Sequence, residues 1–598
     1  MTSTNGPTGM SRLHYRQFED RSVDETLQAR LASSGLHPVI ARCLASRQVQ
    51  DMTSLDVSLT RLPAPRLLSG VSQAAEQLGQ AIVQGQRLLI AGDYDADGAT
   101  ATAVMVLGLR RLGAQVDFIV PDRFRLGYGL TPALVDQALA RAGGARPDWI
   151  ITVDNGISAM AGVAHAQSLG IQVLVTDHHL PGQETPDCLV INPQLGGDEF
   201  PSRQLAGVGV AFYLVMAIRT WLAQQTQPTG SHPTADMPRI DDLLALVALG
   251  TVADLVRLDD LNRLLVSQGL RRIQRGNCPA GITALFQVAG KNPAQAQAED
   301  LGFAIGPRLN AAGRLTDMTI GIQCLLAESP QAALPLAQQL QTLNVERREQ
   351  ESTSREEALL LAQSLEAHQS RRAFVLFDPK WSIGLVGLLA SRVKDHFYRP
   401  SLVFGQAEDG SLKGSGRSIP GIHLRDVLER VHTQHPGLIV AFGGHAMAAG
   451  LTLAKADQLP LFEKAVEEAI GAFAHDESLF ENKLVTDGPL AAEAHDLGLV
   501  QAIEQVVWGQ GFPKPLFRNH FRIVSQQRLK DRHLRLGLQL PQAPAHRLQA
   551  IWFDAPETLP PEVELAYELQ INDWQGHQSL QLLIRAAQAQ PGAAAETR

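Results

Sequence analysis

Short apolar segments alternate with helical segments over residues 71–179, and this alternation constrains the fold more than any other feature of the sequence. Apolar runs at 87–91, 116–120, 149–153 and 171–176 are separated by stretches long enough to form helices. Strands that alternate with helices predict a parallel sheet with helices on both faces. In such sheets ligands bind beyond the carboxyl ends of the strands.

Polar side chains follow three of these predicted strands, at the point where each strand ends. They are Asp93, Asp95 and Asp97 after the first strand, Asp154 after the third, and Asp177, His178 and His179 after the fourth. We expect them to lie close together at one edge of the sheet. Carboxylates on a single turn repel one another unless they are solvated, protonated or neutralised by a cation, and a divalent metal is the simplest of these answers.

The hexapeptide Asp93–Gly98 has alternative interpretations. The same spacing opens a calcium-binding EF-hand loop, which needs a bidentate Glu at its twelfth position and a helix before it. Val104 occupies that twelfth position, and the apolar run before the motif is typical of a strand, so the calcium loop fails on both counts. Three solvated loop aspartates remain an alternative for this motif taken alone.

Asp254 is an acid among apolar residues. It follows an almost wholly apolar predicted helix at 242–251 and lies in the segment Val252-Ala-Asp-Leu-Val256. An unpaired buried carboxylate is costly. The residue is therefore either exposed at a helix end or buried with a partner. A further metal carboxylate fits the second case.

The rest of the chain predicts five regions. They are an N-terminal helical extension (1–55), a first α/β domain (56–330), a connecting helix (331–370), a second α/β domain (371–475) and a small β-barrel with a disordered tail (476–598). Residues 514–535 carry seven Lys and Arg residues against one acid. Together with Phe517, Phe521, Trp552 and Phe553, they suit backbone contact and base stacking with a single strand. The alternative is a solvated polar face above core phenylalanines.

Composition limits the class of protein. The 598 residues are 45% hydrophobic, and no uncharged apolar run reaches the 18 or so residues of a membrane helix. The N-terminus lacks the apolar centre of a signal peptide, and the four cysteines form no CxxC pair, so we expect a cytoplasmic protein with reduced thiols. The net charge of −9 does not indicate a nucleic-acid binder, although a local basic strip is enough for one.

Taken in order, the four polar motifs around Asp93–Gly98, Asp154, Asp177–His179 and Asp254 resemble those of the DHH phosphoesterase superfamily. Gly414-Ser-Gly-Arg417 and Gly443-Gly-His445 resemble motifs of the associated DHHA1 domain. With the C-terminal barrel, the chain from about 60 to 590 is similar to the exonucleases of that superfamily. The resemblance implies two α/β lobes, DHH and DHHA1, joined by a long helix and followed by an OB-like barrel.

The resemblance also implies roles for individual residues. Two Mn²⁺ or Mg²⁺ ions are expected, one held by Asp95, the other by Asp97, His178 and Asp254, with Asp154 bridging both. Asp93 and Asp177 are expected to orient ligands, and His179 to lie beside the metals. The expected contacts to substrate phosphate are Arg417, Ser415 and His445 from the second lobe, together with Arg314. Arg123 is expected at a 5′-phosphate, with Arg125 as the alternative. Phe517 and Arg518 are expected to contact DNA in the barrel.

The expected activity is 5′→3′ exonucleolytic hydrolysis of single-stranded DNA to 5′-mononucleotides, in recombination and repair. A small-substrate phosphodiesterase of the same superfamily is one alternative, and a non-catalytic DNA-binding scaffold of the same fold is another. The expected partners are single-stranded DNA, a single-stranded-DNA-binding protein and a helicase. We expect a monomer without membrane association.

Overall fold

The computed structural model describes residues 15–122, 127–141, 146–225, 237–366, 371–474, 476–530, 532–555, 558–574 and 577–588. The chain divides into two compact units. Unit 1 comprises residues 1–49, 348–503 and 515–598, and unit 2 comprises residues 50–347 and 504–514.

The N-terminal region of unit 1 contains a strand that the sequence did not predict. It consists of β1 (Tyr15–Asp20), α1 (Glu25–Ser33) and α2 (Pro38–Ala45). The side chain of Asp24 caps α1 by accepting from the backbone N–H of Leu27, as short polar residues do at helix starts. The two helices are as predicted, whereas β1 pairs in parallel with residues 483–486 and 587–588.

Unit 2 contains the predicted parallel sheet. Its elements are α3 (Val71–Val83), β2 (Arg87–Ala91), α4 (Ala96–Arg111), β3 (Gln115–Ile119), α5 (Pro132–Arg141), β4 (Trp149–Val153), α6 (Met160–Ser168), β5 (Gln172–Thr176) and β6 (Leu189–Ile191). The strand order is β3-β2-β4-β5-β6, and every pair is parallel. The order reverses between β2 and β4, which is where doubly wound sheets bind ligands.

Helices form the remainder of unit 2. They are α7 (Gly207–Gln225), α8 (Leu244–Ala253), α9 (Asp260–Gln274), α10 (Ala280–Val288), α11 (Ala298–Asp300), α12 (Gly306–Leu315) and α13 (Thr319–Leu326), with a π-helix at Leu301–Ile305. The first, α7, has the length and composition of a membrane span, but 67% of that stretch is buried inside the protein. It packs against α3, α4 and α8, so its hydropathy reflects a core position.

A long helix, α14 (Pro330–Glu366), confirms the predicted connecting helix and carries the chain from unit 2 into unit 1. The second sheet follows it in sequence. Its elements are β7 (Phe374–Phe377), α15 (Val386–Phe397), β8 (Ser401–Gln406), β9 (Leu412–Arg417), α16 (Leu424–Gln434), β10 (Ala441–Gly444), β11 (Ala448–Leu453) and α17 (Leu459–Phe473). Gly443 and Gly444 of the second motif lie in β10, and the Gly414–Arg417 motif lies in β9.

The C-terminal region forms a closed five-stranded barrel. It is preceded by β12 (Lys483–Thr486) and α18 (Leu497–Glu504) and is built from β13 (Phe517–Leu529), β14 (His533–Leu540), β15 (Ala543–Trp552), β16 (Glu562–Trp574) and β17 (His577–Gln588). Closure follows because β17 pairs with both β15 and β16. The predicted fold class, two α/β lobes and an OB-like barrel, is therefore confirmed.

Candidate metal centre

The carboxyl ends of β2, β4 and β5 bring the predicted polar residues together. These strands are neighbours in register, so the residues that follow them meet at one edge of the sheet. The donor atoms form three groups in which all atoms lie within 4.8 Å of one another. The groups are Asp93, Asp95 and Asp154; Asp97, His178 and Asp254; and Asp154, His178 and His179.

Two residues link these groups. Asp154 and His178 each belong to two of them, and Nε2 of His178 lies 3.0 Å from Oδ1 of Asp154 and 3.5 Å from Oδ2 of Asp254. Overlapping groups that share a carboxylate are the arrangement that a two-ion site requires.

Backbone donors at the starts of α4 and α7 fix two of the aspartates. Asp95 is the N-cap of α4, and its Oδ1 accepts from the backbone N–H groups of Asp97 at 2.7 Å and Gly98 at 3.1 Å. The carboxylate of Asp97 accepts from the backbone N–H groups of Gly207 at 2.6 Å and Val208 at 3.1 Å. Both acids are thereby held in one orientation by backbone donors.

Asp154 is strained as well as buried. Its φ is 62°, in the left-handed region that few residues other than glycine adopt. A Cβ on Gly207 would lie 2.6 Å from Oδ1 of Asp154, so only glycine allows α7 to come this close. Such strain is typical of functional sites, where the surrounding structure enforces it.

Burial and mutual repulsion raise the pKa values of three carboxyl groups, those of Asp97, Asp154 and Asp254. Burial, followed by the charge of Asp95, raises the pKa of Asp97 from 3.8 to about 7. Burial and the charges of Asp97 and Asp95 raise the pKa values of Asp154 and Asp254 well above 3.8. Asp254 also follows the C-terminal end of α8, where the helix dipole disfavours negative charge.

Asp177 holds His179 in place. Oδ1 of Asp177 lies 2.7 Å from Nδ1 of His179 and accepts from the backbone N–H groups of His178 and His179, while Oδ2 accepts from Ile157. Burial opposes ionisation of Asp177, but the hydrogen bond and charge of His179 outweigh it and lower the pKa of this carboxyl. Burial likewise opposes protonation of His179, but Asp177 raises the pKa of its imidazole to about 9.

The donor set fits a pair of divalent ions. Oδ1 of Asp154 is buried and accepts no hydrogen bond among the described residues, although Nε2 of His178 lies beside it. Repelling carboxylates with raised pKa values, together with an imidazole, are stabilised by a cation. Carboxylate oxygens with an imidazole nitrogen suit Mn²⁺ and Mg²⁺.

Comparison with known proteins gives the family. The DHH family N-terminal domain matches residues 87–251, the DHHA1 domain residues 370–472 and the RecJ OB domain residues 486–586. The single-stranded-DNA-specific exonuclease RecJ of Salmonella typhimurium is 46% identical over 579 residues, which cover 95% of this chain and 98% of that protein. This chain belongs to the RecJ family.

Two further comparisons are informative. RecJ of Bacillus subtilis is 33% identical, covering 92% of this chain and 68% of that protein. The crystal structure of Thermus thermophilus RecJ in complex with Mn²⁺ superposes with a TM-score of 0.80 and 28% identity, covering 97% of this chain and 80% of that one. The RecJ-family architecture therefore extends over nearly the whole chain.

The donor groups contain none of the other predicted site residues that the structure of this RecJ-family chain describes. Arg417 and Ser415 lie on β9 of unit 1, where Nη1 of Arg417 donates to Oγ of Ser415 at 2.9 Å, and burial lowers the pKa of Arg417. The backbone N–H of His445 donates to the carbonyl of Ala448 in the turn between β10 and β11. Arg314 lies in the last turn of α12. The phosphate contacts assigned to these residues stay predictions, and Arg123 falls outside the described residues.

Phe517 does not have the expected role, and Arg518 is paired with acids of the protein. Phe517 is fully buried and packs near Tyr567 inside the barrel, so the prediction that it stacks on a base is wrong. Arg518 donates to both carboxylate oxygens of Asp20 at 2.8 Å and pairs with Glu564. These hydrogen bonds raise its pKa and join β1 to the barrel, and the DNA contact expected of Arg518 stays a prediction.

Sequence reasoning missed three residues beside the cluster. The Tyr128 ring lies edge-on to His179, and its hydroxyl donates to the carbonyl of Asp154. Nδ2 of Asn155 donates to the carbonyls of Ala91 and Val153, which ties β2 to β4. Oδ1 of Asn310 accepts from the backbone N–H of Ala96 at 2.8 Å. Asn155 directly follows Asp154 in the sequence, so its place in that motif was an available signal.

Proposed function

We propose that this chain is a 5′→3′ exonuclease that hydrolyses single-stranded DNA to 5′-mononucleotides with two divalent ions. The observation that carries the proposal is the set of overlapping donor groups that share Asp154 and His178. Relatives named single-stranded-DNA-specific exonucleases match almost the full chain, which supports the substrate class. A role in recombination and repair accords with that substrate.

Five residues would hold the ions. Asp95 would bind one, Asp97, His178 and Asp254 the other, and Asp154 both, with Mn²⁺ or Mg²⁺ as the metal. Such a pair of ions supplies charge that stabilises the attacking and leaving oxygens of an in-line displacement. Asp93 also offers a carboxylate to one donor group, although its Oδ1 accepts from the backbone N–H of Tyr94, so we assign it to orienting the site.

The protein's own residues would position the substrate. His179, kept protonated by Asp177, would donate to a phosphate oxygen near the metals. Arg417, Ser415 and His445 would contact the phosphate as its charge increases, because fixed donors stabilise such charge best. Arg314 and Arg123 would bind neighbouring phosphates.

The barrel would contact the DNA backbone through exposed arginines. Arg522 on β13 is in register with Gln539 on β14, which is in register with Arg547 on β15. Arg535 is exposed on β14 and points to the same face, because it lies an even number of positions from Gln539. These cations join Arg518, and replace Phe517, as our candidates for backbone contact.

Further properties belong to the same proposal. We expect the protein to work in the cytoplasm as a monomer. The expected partners are a helicase, which generates single-stranded DNA, and single-stranded-DNA-binding protein, which coats it.

Digestion of labelled oligonucleotides tests the proposal. Purified protein with Mn²⁺ should release mononucleotides from the 5′-end of a single strand and leave a blunt duplex intact. Release from the 3′-end would contradict the polarity. Cleavage of dinucleotides alone would favour the small-substrate phosphodiesterase, and DNA binding without cleavage would favour the non-catalytic scaffold.

A further inference from the structure

Residues 504–514, which we call the strap, belong to unit 2 although the chain on either side belongs to unit 1. The strap folds back on itself at its centre. The backbone N–H of Gly509 donates to the carbonyl of Phe512 at 2.9 Å, and that of Phe512 donates to the carbonyl of Gly509 at 3.0 Å. It is therefore an ordered element of unit 2.

An aromatic stack fixes the strap to α9. The ring of Trp508 stacks on that of Phe512 with centroids 5.0 Å apart and planes at 13°. The guanidinium of Arg263 lies 4.3 Å from the Phe512 ring centroid. All three side chains are buried, where cation–π contacts are strongest.

The strap backbone lies directly against residues 257 and 258. The N–H of Leu258 donates to the carbonyl of Gln510 at 2.8 Å. A Cβ on Gly509 would lie 2.6 Å from Cδ1 of Leu258, and a Cβ on Gly511, whose φ is 69°, would lie 2.6 Å from Cγ of Arg257. The positive φ favours glycine at position 511, and a side chain at position 509 would displace the buried Leu258 side chain.

These contacts act on the loop that begins at Asp254. Leu255, the next residue, has a φ of 60°, a conformation that persists only where neighbouring structure enforces it. At the other end of the loop, Nη1 of Arg263 donates to the carbonyl of Leu258 at 3.0 Å. Arg263 therefore contacts the loop and the strap at once.

We propose that the strap is a positioning element for Asp254: by clamping Arg257 and Leu258 it holds the Asp254 loop in the geometry that the metal centre needs. The metal part of this inference rests on the ligand role proposed for Asp254. Groups that orient a metal ligand typically contribute 10–100-fold to metal affinity. We expect loss of the strap contact to weaken Mn²⁺ binding by about tenfold or more.

Two variants remove the contact in different ways. Phe512→Leu removes the ring between Trp508 and Arg263, and Gly509→Ala places a methyl group against the buried side chain of Leu258. Phe286→Leu is the matched control, because Phe286 is also fully buried in unit 2 but lies on α10. Gln510→Ala is a control within the strap, because Gln510 contacts Leu258 through its backbone carbonyl, which the substitution keeps.

Two measurements follow. Hydrogen exchange of metal-free protein should show faster exchange of the amides at 255–259 in Phe512→Leu and Gly509→Ala, but not in the two controls. Titration with Mn²⁺, followed by the electron paramagnetic resonance of the free ion, should show a dissociation constant raised about tenfold in the same two variants only. Gly509→Ala keeps the test informative if Phe512→Leu fails to fold.

The outcomes separate the two proposals. If the wild-type protein takes up no Mn²⁺, the proposed function is wrong. If it does, and both strap variants match Phe286→Leu in exchange and in Mn²⁺ affinity, the strap is only a packing element and this inference is overturned.

Discussion

Asp154→Asn should stabilise the metal-free protein while it abolishes metal binding and hydrolysis. Asn has the shape of Asp without its charge, and it tolerates the left-handed φ at this position. The carboxylate belongs to two donor groups, so its loss affects both proposed ions. Removing the same charge relieves repulsion with Asp97, Asp95 and Asp254.

Asp97, in the same cluster, sets the magnitude. The rise of its pKa from 3.8 to about 7 corresponds to about 4 kcal/mol at 1.36 kcal/mol per pH unit. A carboxyl whose pKa is raised by folding stabilises the protein fully below about pH 4, and that stability is lost as the pH rises through about 7. Above that pH, we expect Asp154→Asn to add about 2–4 kcal/mol to the free energy of unfolding of metal-free protein.

Thermal unfolding in EDTA at pH 8 measures this effect. The expected gain raises the Tm of the variant by about 3–6 °C for a unit of about 300 residues. Mn²⁺ at 100 times its Kd should add about 2.7 kcal/mol to the wild-type protein and nothing to the variant. Asp187→Asn, at an exposed acid of the same unit, is the control. An unchanged or lower Tm in EDTA, or a variant still stabilised by Mn²⁺, would refute the reasoning.

Three other predictions follow from the same contacts. Arg417→Ala should keep Mn²⁺ affinity but lower kcat by about 10²–10³-fold, as loss of a fixed donor to a charged transition state does. The control is Arg425→Ala, at an exposed arginine of the same unit. A wild-type kcat in Arg417→Ala, or an equal loss in the control, would contradict this prediction. Combined alanine substitution of Arg522, Arg535 and Arg547 should lower DNA affinity. It should also reduce the slope of log K against log salt concentration by about 2, because each of the three lost phosphate contacts contributes about 0.7. An unchanged slope in a binding titration would show that this face does not contact DNA. The raised pKa of His179 gives the metal-free wild type stability that is fully present below about pH 6.5 and is lost as the pH rises through about 9. His179→Gln should remove this stability, so the difference in Tm between variant and wild type in EDTA should be larger at pH 6 than at pH 9.5. A difference that does not depend on pH would contradict this prediction.

The convergence of the acids was predictable because it depends on topology alone. Strand–helix alternation implies parallel strands, and the residues that end neighbouring parallel strands must meet at one edge. The start of α4 was less predictable. The side chain of Asp95 caps α4, which begins at Ala96, so a residue predicted only as a metal ligand also starts a helix.

Features that depend on distant partners were not predictable. The pattern of Tyr15–Asp20 does not reveal that its partners lie at 483–486 and 587–588. Aromatic residues on alternating strands do not reveal which face is inside, and for this reason Phe517 was predicted to contact DNA although it lies in the core. How the ligands divide between two ions stays a prediction.

The pairing of β1 has a consequence for biosynthesis. Tyr15–Asp20 leaves the ribosome among the first residues of the chain, yet β17 leaves it among the last. Until then the strand exposes unpaired backbone groups, a condition that favours association with other chains. Premature termination before residue 483 would make that exposure permanent, so we expect such truncated products to aggregate or be degraded even though unit 2 is nearly complete.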